Sequence, residues 1–153
     1  MQIAAPTIVA PDATYDGAAY DGKVSLTHSE AQGSNGSSDG IIDLAKTQIS
    51  YYAGPNDETA LKDTPDGAGH YYAGVENWEF VTGKLGSNYQ IIGEPRDGFT
   101  INKATATMTF TNNPVTVTYT AQGTPLQPVK VTNLVTADEG KDGVYSVTYT
   151  YKY

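Results

Sequence analysis

The chain has 153 residues, and its nine Lys and Arg against 17 Asp and Glu give a net charge of −8. An acidic surface repels phosphate, which argues against nucleic-acid binding as the main function. The absence of Cys excludes disulfides, thiolate metal sites and a Cys nucleophile. No apolar run approaches the roughly 20 residues that cross a bilayer, so we expect no membrane insertion.

The composition favours an all-β protein. Thr, Gly, Tyr and Pro are abundant, at 20, 16, 12 and 8 residues. Thr and Tyr suit a pleated strand surface, whereas Gly and Pro supply turns. No long stretch repeats apolar residues at helical spacing. The sequence therefore predicts many short strands, with at most one short helix.

The first hundred residues contain several strand candidates. Their alternation and their bounding turn residues predict strands within residues 2–9, 23–27, 49–53, 71–81, 89–92 and 99–101. Residues 33–40 are polar and of low complexity, which predicts a loop or a mobile hairpin tip. Residues 43–46 are compatible with one helical turn.

The last fifty residues carry the clearest alternation. Thr105, Thr107, Thr109 and Thr111 alternate with apolar residues, as in a strand with one face on a core. Segments 115–119, 129–131 and 144–153 repeat this pattern.

An internal repeat divides the chain. Residues 13–26 resemble residues 117–131 at a spacing of about 100 residues. Residues 66–75 resemble residues 141–149 at a shorter spacing, since the second copy has no equivalent of the insert at 28–48. We therefore predict two small tandem antiparallel modules, at residues 1–102 and 103–153. The first has an insert at 28–48, and the second is shorter or truncated.

Both copies contain a tyrosine that follows a glycine by two residues. Tyr71 follows Gly69, and Tyr145 follows Gly143. In immunoglobulin-like sandwiches a tyrosine at such a corner returns its hydroxyl to the backbone upstream. We predict a structural corner at Tyr71 and at Tyr145.

These residues resemble the MBG-type repeat of bacterial, Gram-positive surface adhesins. The matching segments are 13–17, 49–52, 65–72, 86–89 and 99–104. The resemblance implies an excised piece of a long, extracellular, cell-wall-anchored protein. It implies neighbouring repeats as partners and no catalytic residues. Immunoglobulin-like sandwich and β-grasp remain alternative folds, and a helix within 41–48 would favour the grasp.

Catalysis finds no support in the sequence. The two histidines, His28 and His70, accompany no Gly-x-Ser-x-Gly elbow. We therefore expect a non-enzymatic module without a cofactor. Acidic loops such as 57–66 offer the oxygen ligands that Ca²⁺ prefers, but no Asp-x-Asp-x-Asp-Gly loop occurs. The sequence thus assigns no metal site.

Two functions remain open at this stage. The first is a stalk, spacer or weak multivalent binder in an adhesin. The second is a lectin-like module that binds host glycans, mucin or extracellular matrix through the insert and through outward aromatic rings. The candidate ligand-binding residues are Tyr51, Tyr72, Trp78, Asn35 and Asp39. Burial statistics for large aromatic residues favour a core position for Trp78.

Overall fold

A computed structural model describes residues 1–21, 23–110, 129–139 and 141. Contacts within the chain define two units, Met1–Lys103 and Ala104–Tyr153, and each unit is described by itself. Among the described residues there is no helix of seven or more residues, so the all-β prediction is confirmed. The tandem segments at 115–119 and 144–153, and the corner residue Tyr145, lie outside the described residues.

Unit 1 is built from eight described strands. They are β1 (Gln2–Ala4), β2 (Thr7–Val9), β3 (Ala13–Thr14), β4 (Ser25–Thr27), β5 (Ser50–Tyr52), β6 (Gly69–Gly74), β7 (Gln90–Ile92) and β8 (Asp97–Asn102). Four of them form a sheet in the order β3-β8-β6-β5. The pairs β1–β7 and β2–β4 form two further small sheets.

The first strand segment breaks at Pro6. The sequence predicts one edge strand within residues 2–9, whereas the structure has β1 and β2 on either side of Ala5 and Pro6. Proline has no N–H to donate to a ladder, and it disfavours helical geometry in the residue before it. The break lets β1 pair with β7 and β2 pair with β4.

Two strand pairings are parallel, which differs from the purely antiparallel modules that the sequence predicts. β1 runs parallel to β7, and β3 runs parallel to β8. The pairs β2–β4, β5–β6 and β6–β8 are antiparallel. Side chains alternate in the same way in both kinds of pair, so the sequence pattern carries no information about strand direction.

The core lies on one face of the four-stranded sheet. Tyr20 and Phe99 are almost completely buried, and their rings stack at a centroid distance of 4.0 Å. The ring of Tyr51 meets both of them edge-on, at 6.1 and 6.0 Å. Ile8 and Ile101 complete this cluster. The three largest side chains of this buried cluster are therefore aromatic rings in mutual contact.

The insert at 28–48 is an integral part of unit 1. Gly36 exchanges backbone hydrogen bonds with Gln2 and Ala4 of the β1 segment, all at 2.9 Å. Ile42 is buried and forms a bridge with Phe80. Residues 33–40 form a loop, as one of the two alternatives expected, and the loop is anchored at Ser38, which is fully buried and accepts a hydrogen bond from the Ser29 N–H at 2.9 Å.

Residues 41–48 contain a single turn and no helix. The N–H of Thr47 donates to the Asp43 carbonyl at 3.1 Å, and the Thr47 hydroxyl donates to the same carbonyl at 2.9 Å. The one helical turn expected at 43–46 is thus present. The helix that would favour a β-grasp does not form in this segment.

The described part of unit 2 contains a strand pair that resembles one in unit 1. β9 (Thr107–Phe110) pairs antiparallel with β10 (Val129–Thr132), with Met108 opposite Val131. In unit 1, β2 pairs antiparallel with β4, with Ile8 opposite Leu26. The sequence repeat aligns Leu26 with Val131, so one strand of each antiparallel pair lies at corresponding positions in the two units.

Raising the pH above 10 is expected to destabilise unit 1 through Tyr51. Burial, together with the nearby Asp21 carboxylate and Tyr20, raises the pKa of Tyr51 from 10.0 to about 12. A phenol with a raised folded-state pKa stabilises the fold below pH 10, and this contribution is lost as the pH rises towards 12. Urea titrations should show a loss of up to about 2 kcal/mol over that interval.

The Tyr51→Phe variant is the control for this prediction. It keeps the ring but has no hydroxyl to titrate, so its stability should fall less between pH 10 and 12. Equal losses in the two proteins would show that Tyr51 is not the responsible group.

Candidate functional site

The outer face of the central sheet carries two tyrosine rings that lie flat on it. Tyr52 and Tyr72 are register partners on β5 and β6 and therefore share this face. A methyl group at Gly74 would lie 2.9 Å from Cε2 of Tyr52, and one at Gly98 would lie 3.0 Å from Cε1 of Tyr72. Glycine at these two positions makes room for the rings to cover the sheet.

Arg96, the single arginine of the chain, fixes Tyr52 from the other side. Its guanidinium carbon lies 3.6 Å from the centre of the Tyr52 ring. Its Nη1 donates to the carbonyls of Gly54 and Pro55 at 3.3 and 3.2 Å, and its Nη2 donates to the Asp57 carbonyl at 2.6 Å. The planar fork thus holds loop 54–57 over β5, which a lysine could not do in the same way.

Residues on three segments enclose a cleft of about 820 Å³ next to this cluster. Its walls are formed by loop 55–58, by residues 75–78 after β6, and by residues 91–96 around the end of β7. Four carboxylates line it, those of Asp57, Glu58, Glu76 and Glu94. Trp78, the only tryptophan of the chain, is half-buried in one wall.

Several polar groups of the cleft make no hydrogen bond or ion pair to another residue that the structure describes. In the described part of the chain, neither the indole N–H of Trp78 nor the side chains of Asn77 and Glu94 make a hydrogen bond or ion pair. Burial raises the pKa of Tyr52, and the Glu76 carboxylate adds to this rise whereas Arg96 opposes it. The cleft therefore offers one indole ring, donors and acceptors against a wall that Arg96 holds in place.

The expectation that Tyr51 presents a ring to ligands is wrong. The side chain is only 8% exposed, and its hydroxyl donates to the Tyr20 carbonyl at 3.2 Å. Strand β5 has three residues, so alternation requires one of its two tyrosines to face the core, and the core selects Tyr51. Its neighbour Tyr52 borders the cleft, but it is only 3% exposed because Arg96 covers its ring.

The structure does not bring the remaining candidates together. Of Tyr72, Trp78, Asn35 and Asp39, only Trp78 lines the cleft. Tyr72 packs edge-on against His70 at a centroid distance of 5.0 Å. Asn35 closes a backbone turn with Gln32, and Asp39 lies 3.8 Å from Nε2 of His28. The insert therefore contributes neither of its two candidate residues to the cleft.

Tyr71 has the geometry that a structural corner requires. Its hydroxyl donates to the carbonyl of Gly67, four residues upstream, at 3.1 Å. Its ring lies 5.8 Å from that of Phe99, so the residue joins the corner at 67–71 to the aromatic core. The side chain thus has a structural task.

The described residues form neither a metal site nor a membrane-spanning helix. Within them, no group of three or more His, Asp or Glu side chains is arranged to hold a metal ion, and the acids of loop 57–66 form no Ca²⁺ shell. No helix in this part of the chain is long and apolar enough to span a bilayer.

Comparisons with known proteins give no relative for this chain. No family model, no curated protein and no solved structure matches it.

Replacing Arg96 by Lys is expected to destabilise unit 1 by about 1 to 2 kcal/mol, because one ammonium cannot reach three carbonyls while covering Tyr52. Hydrogen exchange in loop 54–57 should accelerate at the same time. Denaturant unfolding and exchange mass spectrometry measure the two effects. Lys84→Ala, at an exposed position, is the control and should change stability by less than about 0.5 kcal/mol. Unchanged exchange in loop 54–57 of Arg96→Lys would contradict the role of the guanidinium.

Proposed function

We propose that the chain is a non-enzymatic repeat region of a bacterial cell-surface adhesin that acts as a spacer between the cell wall and a distal part of the protein. One observation carries this proposal. The first and last segments of unit 1 run side by side in the same direction, because β1 is parallel to β7 and β3 is parallel to β8. A spacer needs entry and exit points that are far apart.

The parallel arrangement separates the two ends of unit 1. Gln2 lies opposite Gln90, and Thr14 lies opposite Asn102, so the partner is 88 positions further along the chain at both ends of the run. The chain enters beside Gln90 and leaves beside Thr14. At about 3.3 Å per residue, an extended run from residue 2 to residue 14 spans up to about 40 Å.

Two further observations agree with a spacer. The pairing of β2 with β4 in unit 1 recurs as the pairing of β9 with β10 in unit 2, as expected of tandem modules. In addition, His28 Nδ1 lies 3.2 Å from the Ser38 hydroxyl, but Ser38 is fully buried and lines no part of the cleft beside Trp78, so this hydroxyl is not presented to a substrate. His70 contacts Thr100 on the sheet surface.

Concatemers of the full chain test the spacer function. We expect the maximum dimension from small-angle X-ray scattering to grow linearly over one, two and four copies, by the same increment with each added copy. Copies that collapse together would instead give a radius of gyration that grows only as about the 0.4 power of length. The second result would overturn the proposal.

A second candidate function is supported by the cleft. Trp78 offers an indole ring beside unpartnered donors and acceptors, which is the combination that binds sugar rings. We propose neutral host glycans, such as those of mucin or extracellular matrix, as its ligands. The four carboxylates would repel sialic acids and uronic acids.

A glycan array of neutral and sialylated oligosaccharides tests this second candidate. We expect binding to neutral glycans only, with a change in the fluorescence of the single tryptophan on titration. Trp78→Ala should lower the affinity by about tenfold or more, since truncation of a tryptophan that anchors a ligand commonly costs about 1 to 2 kcal/mol or more. Tyr72→Ala, outside the cleft, is the matched control and should bind normally. No binding to any neutral glycan would contradict the candidate.

A further inference from the structure

We propose that the parallel first and last segments of unit 1, residues 2–15 and 88–102, form a mechanical clamp that resists unfolding when the chain is pulled from its ends. This inference rests on the proposed spacer function, because only a tethered spacer transmits force along its chain. It adds a property that spacing alone does not require, namely resistance to force in one direction.

Backbone hydrogen bonds join the two segments at both ends of the run. At its beginning, the Gln90 N–H donates to the Met1 carbonyl at 2.9 Å, and the Ala5 N–H donates to the Ile92 carbonyl at 3.1 Å. At its end, the Tyr15 N–H donates to the Asn102 carbonyl at 2.8 Å. The paired residues of β1–β7 and β3–β8 lie between these points.

Two carboxylates continue the clamp where backbone pairing is interrupted. Asp97 Oδ2 accepts a hydrogen bond from the Ala10 N–H at 2.8 Å. Asp12 Oδ1 accepts one from the Thr100 N–H at 2.6 Å. One acid belongs to each segment, so the two side chains join the segments reciprocally. Hydrogen bonds to an ionised acceptor are roughly twice as strong as neutral ones.

The direction of pulling decides how these bonds are loaded. Force on residue 1 and on residue 103 draws two parallel segments in opposite directions along their own axes. Every hydrogen bond between them is then sheared at once, and the chain yields only when several break together. Had the segments been antiparallel, both ends would leave at the same side and the bonds would open one after another.

Buried side chains prevent the first segment from sliding. Ile3, Pro6 and Ile8 are buried on it, and Phe99 and Ile101 are buried on the last segment. A slip by one residue would turn each of these side chains to the opposite face of its strand. Shear is therefore opposed by the packing of the core as well as by the hydrogen bonds.

Single-molecule force spectroscopy on the full chain, tethered at its two termini, tests the clamp. Unfolding of unit 1 should be recognisable by a contour-length gain of roughly 330 Å, given 103 residues at up to about 3.6 Å each less the folded span. At constant force, Asp12→Ala and Asp97→Ala should each accelerate this event by about tenfold, and the double variant by more. Asp43→Ala removes an acceptor for the Lys46 N–H in the insert and should leave the rate within about threefold.

A second pulling geometry separates the effect of force direction from any loss of stability that the Asp12 and Asp97 substitutions cause. The chain has no cysteine, so Ser87→Cys provides a unique attachment point beside Met1, whose amino group lies 3.0 Å from the Asn88 carbonyl. Tethering the N-terminus and residue 87 peels β1 from β7 and should lower the unfolding force severalfold. Equal forces in the two geometries would overturn the clamp. Low unfolding forces in both geometries, together with linear growth of the concatemers, would contradict the clamp but not the spacer function.

Discussion

The parallel pairing of the first and last segments is the constraint on which the rest of unit 1 depends. It joins residues 88 positions apart, and no disulfide assists it because the chain has no cysteine. The entropy cost of closing such a loop grows only slowly with its length, but it has to be met before any contact between the segments forms. Everything between residues 15 and 88 folds within this closure, which gives unit 1 the non-local contacts typical of slowly folding β proteins.

The aromatic core holds the closed loop together. Phe99 comes from the last segment, Tyr20 follows the first, and Tyr51 comes from the middle of the chain, so the three rings join three distant parts of unit 1. Each tyrosine hydroxyl also has a backbone acceptor, the Pro11 carbonyl for Tyr20 and the Tyr20 carbonyl for Tyr51. A chain rich in Tyr can thus bury large rings and satisfy their hydroxyl groups with the carbonyls of its connecting loops.

The sequence was sufficient for the fold class and for most strand positions, because alternation and turn residues are local signals. It was insufficient for strand direction, since parallel and antiparallel strands alternate alike. The sequence did not reveal which of Tyr51 and Tyr52 faces the core. In a strand of only three residues, the alternation is too short to show which face is buried until the partner strand is known. Arg96 was missed for a similar reason, since its hydrogen-bond partners lie about 40 residues away in the sequence. The sequence offered one indication of its role: Arg96 is the only arginine of the chain, and it lies two residues after Glu94 and next to Pro95.

The cleft and the paired terminal segments share the stretch between β7 and β8. Residues 93–96 make none of the strand pairings that surround them, yet Glu94, Pro95 and Arg96 line the cleft, and Arg96 holds loop 54–57. The residues that interrupt the pairing are therefore also the ones through which the last segment contacts loop 54–57 and Tyr52. An uninterrupted strand from 90 to 102 would have a more regular hydrogen-bond ladder. The backbone of Arg96 would then follow the strand, and its side chain would no longer cover the Tyr52 ring. Residues 90–102 therefore have two structural roles: they pair with the first segment of unit 1, and they form one wall of the cleft beside Trp78.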